Sequence, residues 1–194
     1  MPPVNRLPPL SREQMNAEQR AMLDAIRNGP RKNLNGPFVA WIHSPQLGEL
    51  AQRLGAYCRY DTGLSLRLSE LAILVTAARW QSQAEWHIHL PIAVEAGLSP
   101  VVAEQIRIGA RPDFADQDEL LIWCFATELY QDKRVSDAVY DAACIRFGLP
   151  VVVNLVGLLG YYALVAMTLN VFDMRADGQD QVSGLPFAEP GETG

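Results

Sequence analysis

Glu85, His89 and Glu70 are the side chains of this sequence with the types and spacing for proton-transfer chemistry. In Ala84-Glu85-Trp86-His87-Ile88-His89, Glu85 and His89 stand four residues apart, which on a helix brings them to one face. A carboxylate beside an imidazole can hold the ring in one tautomer and raise its basicity. Alternatively, the two groups can exchange protons with the same substrate. His87 falls in the same turn but lies about 200° around the helix from His89, so the two are not expected to share a small pocket. Pro91, inside the helical pattern, removes the hydrogen bond to the carbonyl of His87 and is expected to bend the chain beside His89. That bend either marks a kink or opens space next to the imidazole. Glu70 sits among Leu68-Ser69-Glu70-Leu71-Ala72-Ile73-Leu74 and has two readings. The commoner is a carboxylate on the solvated edge of its helix. The other is a carboxylate buried with a partner, its pKa raised towards general acid–base work. Glu85 and His89 alone would also fit a surface ion pair, but Trp86, Ile88, Leu90 and Ile92 leave no broad solvated face around them.

The elements that must position these groups read as helices throughout. Residues 1–10 form a Pro-rich arm, and Ser11 to Arg27 reads as a helix with Ser11 as its N-cap. Ser44-Pro45 starts another, an N-cap followed by proline at the first helical position, running to about Tyr60. Asp61-Thr62-Gly63 breaks the chain, and Leu64 to Trp80 supplies a further helix containing Glu70. After a short break at Gln81 to Gln83, with Ser82 as a possible N-cap, a helix from Ala84 to Ala96 carries Glu85 and His89 and closes at Gly97. Segments from Ser99, from Asp116 to Tyr130, from Ser136 to Phe147 and from Pro150 to Phe172 complete the pattern. No segment alternates with a period of two residues, so the fold class is all-α with short connections, as in helical bundles. The division expected is an arm and first helix over 1–34, one helical domain over 35–174, and a tail over 175–194 that is an arm or partly disordered.

Composition bounds the function. A chain of 194 residues, 49% hydrophobic and 20% charged, can bury a proper core without staples. Its net charge of −6 argues against nucleic acid or an anionic membrane as the main partner, though a pocket can be locally basic on an acidic protein. Three widely spaced cysteines, Cys58, Cys124 and Cys144, give no CxxC and no disulfide framework. With no secretory signal in MPPVNRLPPL, a reducing, cytoplasmic location is expected. Val151 to Phe172 is long enough to span a bilayer. Two asparagines and the Tyr161-Tyr162 pair favour a buried core helix instead.

The run from Leu64 to Leu98 resembles the core motif of the carboxymuconolactone decarboxylase and AhpD-like family. The likeness lies in Glu70-Leu71-Ala72-Ile73-Leu74, then Glu85-Trp86, His89, Ala93 and Ala96-Gly97-Leu98. It continues more weakly through Asp118-Glu119, Arg134 to Asp137, Phe147-Gly148 and Gly160-Tyr161-Tyr162 to Asn170. It implies a bundle of about seven to eight helices that assembles as trimers or hexamers with active sites near subunit contacts. It also implies that Glu70 and His89 are the family's acid and histidine. Ser82 and Glu85 occupy the places of the CxxC used by the peroxidase branch. A thiol peroxidase needs one thiolate to attack the peroxide and a second thiol to resolve it, so that route is closed here. Glu85 matches the decarboxylase branch, whose carboxylated unsaturated lactone loses carbon dioxide to leave an enolate that needs stabilisation and a proton.

On this basis His89 is expected to donate the proton or hold the oxyanion, Glu85 to orient it or relay protons, and Glu70 to be the second acid. Trp86, Arg79 and Tyr161 are weaker candidates for substrate contact. No cofactor and no metal are expected. A hydrolase or isomerase on the same fold remains open, as does a metal enzyme using Glu70, Glu85 and His89 as donors. A non-catalytic oligomeric binding protein is the third alternative. Partners are then a small-molecule substrate and further copies of the chain, with neither nucleic acid nor membrane.

Overall fold

The structure, a computed structural model, describes residues 6–7, 10–29, 36–176 and 184–186. Within these it contains nine helices and no strand. In chain order they are α1 (Ala17–Asn28), α2 (Phe38–Trp41), α3 (Pro45–Tyr60), α4 (Leu66–Trp80), α5 (Gln83–Glu95), α6 (Pro100–Arg107), α7 (Gln117–Asp132), α8 (Asp137–Phe147) and α9 (Leu149–Val171). The all-α class is as expected, with one or two more helices than the bundle size implied.

The extra element is α2, one helical turn that carries no periodic signal. Trp41 Nε1 donates to Thr168 Oγ1 at 3.3 Å, pinning it to α9. The start of α1 also corrects expectation. Asn16, not Ser11, is its N-cap. The Asn16 side chain accepts from the Gln19 backbone and the Gln19 side chain accepts from the Asn16 backbone, both at 2.9 Å. This reciprocal capping box satisfies two orphan donors at once, whereas Ser11 to Gln14 close only a turn.

Helix α4 is the axis of the fold. Every residue from Leu68 to Ala77 is buried, because α5, α6, α7 and α9 all pack on it. Helix α9 lies against α3, α4, α5 and α8. It is long and apolar enough to cross a membrane by length and composition, and half of its most apolar window is buried against the other helices. Between α4 and α5 the chain reverses in a tight αα-hairpin. Gln81 adopts left-handed backbone (φ 51°), and Ser82 N–H returns to the Ala77 carbonyl at 2.9 Å. That turn lays α5 back along α4 and sets Glu70 opposite His89. Helix α5 continues unbroken through Pro91.

Part of the C-terminal tail is docked on the helical domain. The Gln83 side chain donates to the Leu185 carbonyl at 2.7 Å and accepts from its N–H at 2.8 Å. Arg107 donates to the Gly184 carbonyl at 2.9 Å. Leu185, 2% exposed, joins the main core. Residues 177–183 and 187–194 of the same tail lie outside the described residues. Leu185→Asp is expected to lower stability by about 2 kcal/mol, a drop in Tm of about 4–8 °C by thermal melting. An unchanged Tm would mean that the docked tail adds nothing to the core.

One face is left apolar and uncovered. Leu47, Leu50, Leu54 and Tyr57 of α3 recur every three or four residues and are exposed, Leu50 to 69%. Val153, Val156, Gly160, Met167 and Val171 form a matching stripe on α9, with Val153 exposed to 61%. Tyr57 donates to Asn154 Oδ1 at 3.0 Å, which joins the two stripes into one surface.

Candidate active site

The hairpin of α4 and α5 buries its polar groups together. Glu70 is wholly buried, and its Oε2 lies 2.6 Å from His89 Nδ1. The solvated-edge reading of Glu70 is therefore overturned: the i,i+1 and i,i+4 neighbours of Glu70 are apolar because its whole surround is core. A carboxylate only accepts, so Nδ1 carries the hydrogen and Nε2 is left as the free ring nitrogen. His89 also packs edge-on against Tyr162, with centroids 5.2 Å apart and planes at 89°, and Tyr162 in turn packs on Tyr161. The imidazole is thus fixed by a hydrogen bond on one side and an aromatic on another.

Glu85 does not orient His89, as the helical spacing had suggested. It is 1% exposed, and neither of its carboxyl oxygens has a hydrogen-bond partner among the described residues. Burial pushes its pKa well above the ordinary carboxylate range. The Ser82 hydroxyl nearby pulls the other way only in part, since it stands outside ordinary hydrogen-bond geometry. An isolated buried carboxylate is costly, and the group relieves that cost by keeping its proton. Burial therefore favours the protonated, neutral form of Glu85. Behind it, burial pushes the Tyr130 hydroxyl up to about 12; this hydroxyl donates to the Leu159 carbonyl at 3.0 Å and lies 3.0 Å from Thr76 Oγ1.

Both Glu85 and His89 open onto a cavity of about 540 Å³. Its wall includes Ala84, His87, Ile88 and Ile92 from α5, Tyr161, Tyr162, Val165 and Leu169 from α9, and Phe38 and Val39 from α2. Arg59 and Tyr60 at the end of α3, and Met174 to Ala176 beyond α9, complete it. Glu70 stands one layer back and reaches the cavity only through His89.

Three sequence-based expectations change here. His87 and His89 do share a cavity, because its wall takes in Ala84, Glu85, His87, Ile88, His89 and Ile92 of α5 rather than one narrow face. Trp86 turns into the core at 1% exposure, and Arg79 faces solvent; neither lines the cavity. Tyr161 does line it. Sequence reasoning missed Arg59, Arg175, Tyr162 and Phe38. Of these only Arg59-Tyr60, a cationic–aromatic pair just before the Asp61-Thr62-Gly63 break, carried a local signal.

The three cysteines are free. Among the described residues no group of three or more His, Cys, Asp or Glu side chains converges as a metal-ligand set, so Glu70, Glu85 and His89 are not arranged as a cage. What the arrangement can do is hold one imidazole in a fixed tautomer beside a buried carboxyl in a cavity of mixed polar and apolar lining. Compared with known proteins, the chain matches no protein-family model, no curated protein and no solved structure.

Proposed function

We propose that this protein is a cofactor-free lyase of the carboxymuconolactone decarboxylase kind, acting in the cytoplasm on a small carboxylated lactone or a related ring acid from aromatic breakdown. The observation that carries the reading is the buried 2.6 Å contact between Glu70 and His89 on the wall of the cavity that Glu85 also borders. His89 takes a proton from solvent at Nε2, and the Glu70 carboxylate offsets the imidazolium charge. When the substrate's C–C bond breaks, carbon dioxide leaves and the electron pair passes into the conjugated carbonyl as an enolate. The neutral Glu85 acid donates a hydrogen bond to that developing oxyanion. Nε2 then delivers its proton to carbon, which returns both groups to their starting charge. A charged Glu85 could not serve this purpose, so its burial is part of the device.

The test is carbon dioxide release from a panel of carboxylated lactones and aromatic acids by protein treated with a chelator. Turnover of a lactone or ring acid is the expected result. No release from any of them, or release that returns only with added metal, overturns the reading.

The uncovered stripes on α3 and α9 support assembly with further copies of the chain, as a trimer or hexamer. A contiguous apolar face of this kind is normally covered, and the exposed Arg53 of α3 is already paired with Glu49 at 2.7 Å. Light scattering on the eluting protein is expected to give a multiple of the 21.5 kDa chain mass. Leu50→Glu combined with Val153→Glu is expected to shift it to the single-chain mass. A wild type that elutes as a stable monomer contradicts this assembly.

A further inference from the structure

The wall of the cavity is electrically lopsided. Arg59 closes α3 and Arg175 lies four residues beyond α9, and both line the cavity. Neither has an ion-pair partner among the described residues, whereas Arg12, Arg67 and Arg146 each hold a carboxylate within 2.8 Å. The Arg59 guanidinium stands 5.8 Å from the centroid of the Tyr60 ring, a cation–π contact that braces the side chain without neutralising it. Among the described residues Glu85 is the only acid on this wall, and burial favours its protonated form. The cavity therefore presents two guanidinium groups that are unpaired among the described residues, on a protein of net charge −6. Low-dielectric walls lined by one sign of charge draw in ions of the other, and guanidinium matches the fork of a carboxylate better than any other side chain.

We infer that Arg59 and Arg175 are the specificity-determining residues of this cavity, binding a carboxylate that stays on the ligand throughout the reaction. The second half of that statement rests on the lyase reading. A guanidinium clamped on the departing carboxylate would stabilise the charge that must be lost and so raise the barrier. The leaving group then belongs towards Ile88 and the tyrosines, and the carboxylate held by arginine is a spectator that orients the ring. The first half does not require turnover.

Binding of benzoate and of its neutral counterpart benzamide, measured by calorimetry, separates the two halves. The wild type is expected to bind benzoate more tightly than benzamide, and the benzoate affinity should weaken with salt. Arg59→Met and Arg175→Met are each expected to weaken benzoate about tenfold and to leave benzamide unchanged. Arg59→Lys should recover part of the loss, which guards against a folding defect in the methionine variant. Equal affinity for the two probes, no benzoate binding, or benzoate affinity unaffected in both methionine variants overturns the assignment. If benzoate binding behaves as described but no ring acid is turned over, the lyase reading fails and the anion site stands. If turnover is found but the arginine variants bind benzoate normally, the reverse holds.

Discussion

Exchanging Glu70 for glutamine is expected to lower kcat by about two to four orders of magnitude, with KM nearly unchanged. Glu70 is wholly buried behind His89 and does not border the cavity, so substrate binding does not depend on it directly. Its effect passes through the 2.6 Å contact to Nδ1. Glutamine can accept the same hydrogen bond but cannot offset the imidazolium charge, and its amide end would favour the wrong tautomer. His89→Ala should cost about as much, since in the proposed mechanism both residues serve one proton transfer. The double variant should then fall little below the worse single one, as happens when residues act as a unit. Losses that multiply in the double variant, or a Glu70→Gln enzyme with normal kcat and raised KM, would contradict the positioning role.

Glu85→Leu is expected to lower kcat by about 10²–10³-fold, the cost of removing one donor to a developing oxyanion. The same substitution should raise stability at neutral and alkaline pH. Glu85 ionises near 4.5 when the chain is unfolded and far higher in the fold. Between those two values the native state binds the extra proton, so stability declines as pH rises through that window. As pH rises above the ordinary carboxylate range, wild-type Tm should fall more steeply than that of Glu85→Leu or Glu85→Gln. On the proposed mechanism activity is expected to follow the same group, present while Glu85 is protonated and fading as pH rises through its raised pKa. Glu85→Gln keeps a neutral donor, so it should retain more activity than Glu85→Leu and lose the limb set by Glu85. Parallel melting and rate profiles check both points. A Glu85→Leu protein that is less stable at about pH 8 than the wild type would show that the carboxyl has a structural partner.

Much of the frame was legible in the residues. Ser44-Pro45 marked the start of α3, and the Gln81 to Gln83 break marked the hairpin between α4 and α5. The apolar run after Pro150 marked α9. Local chemistry governs these features, and sequence carries local chemistry directly. The site was legible as a set of residues but not as a set of contacts. The four-residue spacing of Glu85 and His89 pointed to a pair on one face, and the face was right. The partner was wrong, because the hairpin offers His89 a carboxylate on the neighbouring helix, 19 residues away. Burial then leaves Glu85 without a partner, which spacing cannot reveal. Arg59 and Arg175 stand over a hundred residues apart, and only the packing of α3 and α9 brings them to one wall. Helix α2 is a single turn held by Trp41 against α9, too short to show a period.

The most direct measurement is the long-range proton–nitrogen spectrum of His89 in uniformly labelled protein, with Glu70→Gln as its control. Nδ1 should carry the hydrogen, its proton shifted far downfield by the bond to Glu70 and protected from exchange, and Nε2 should appear as the free acceptor. That downfield signal should vanish in Glu70→Gln. A ring protonated at Nε2 instead, or exchanging freely with solvent as an unpaired imidazole does, would contradict proton transfer through a Glu70-oriented His89.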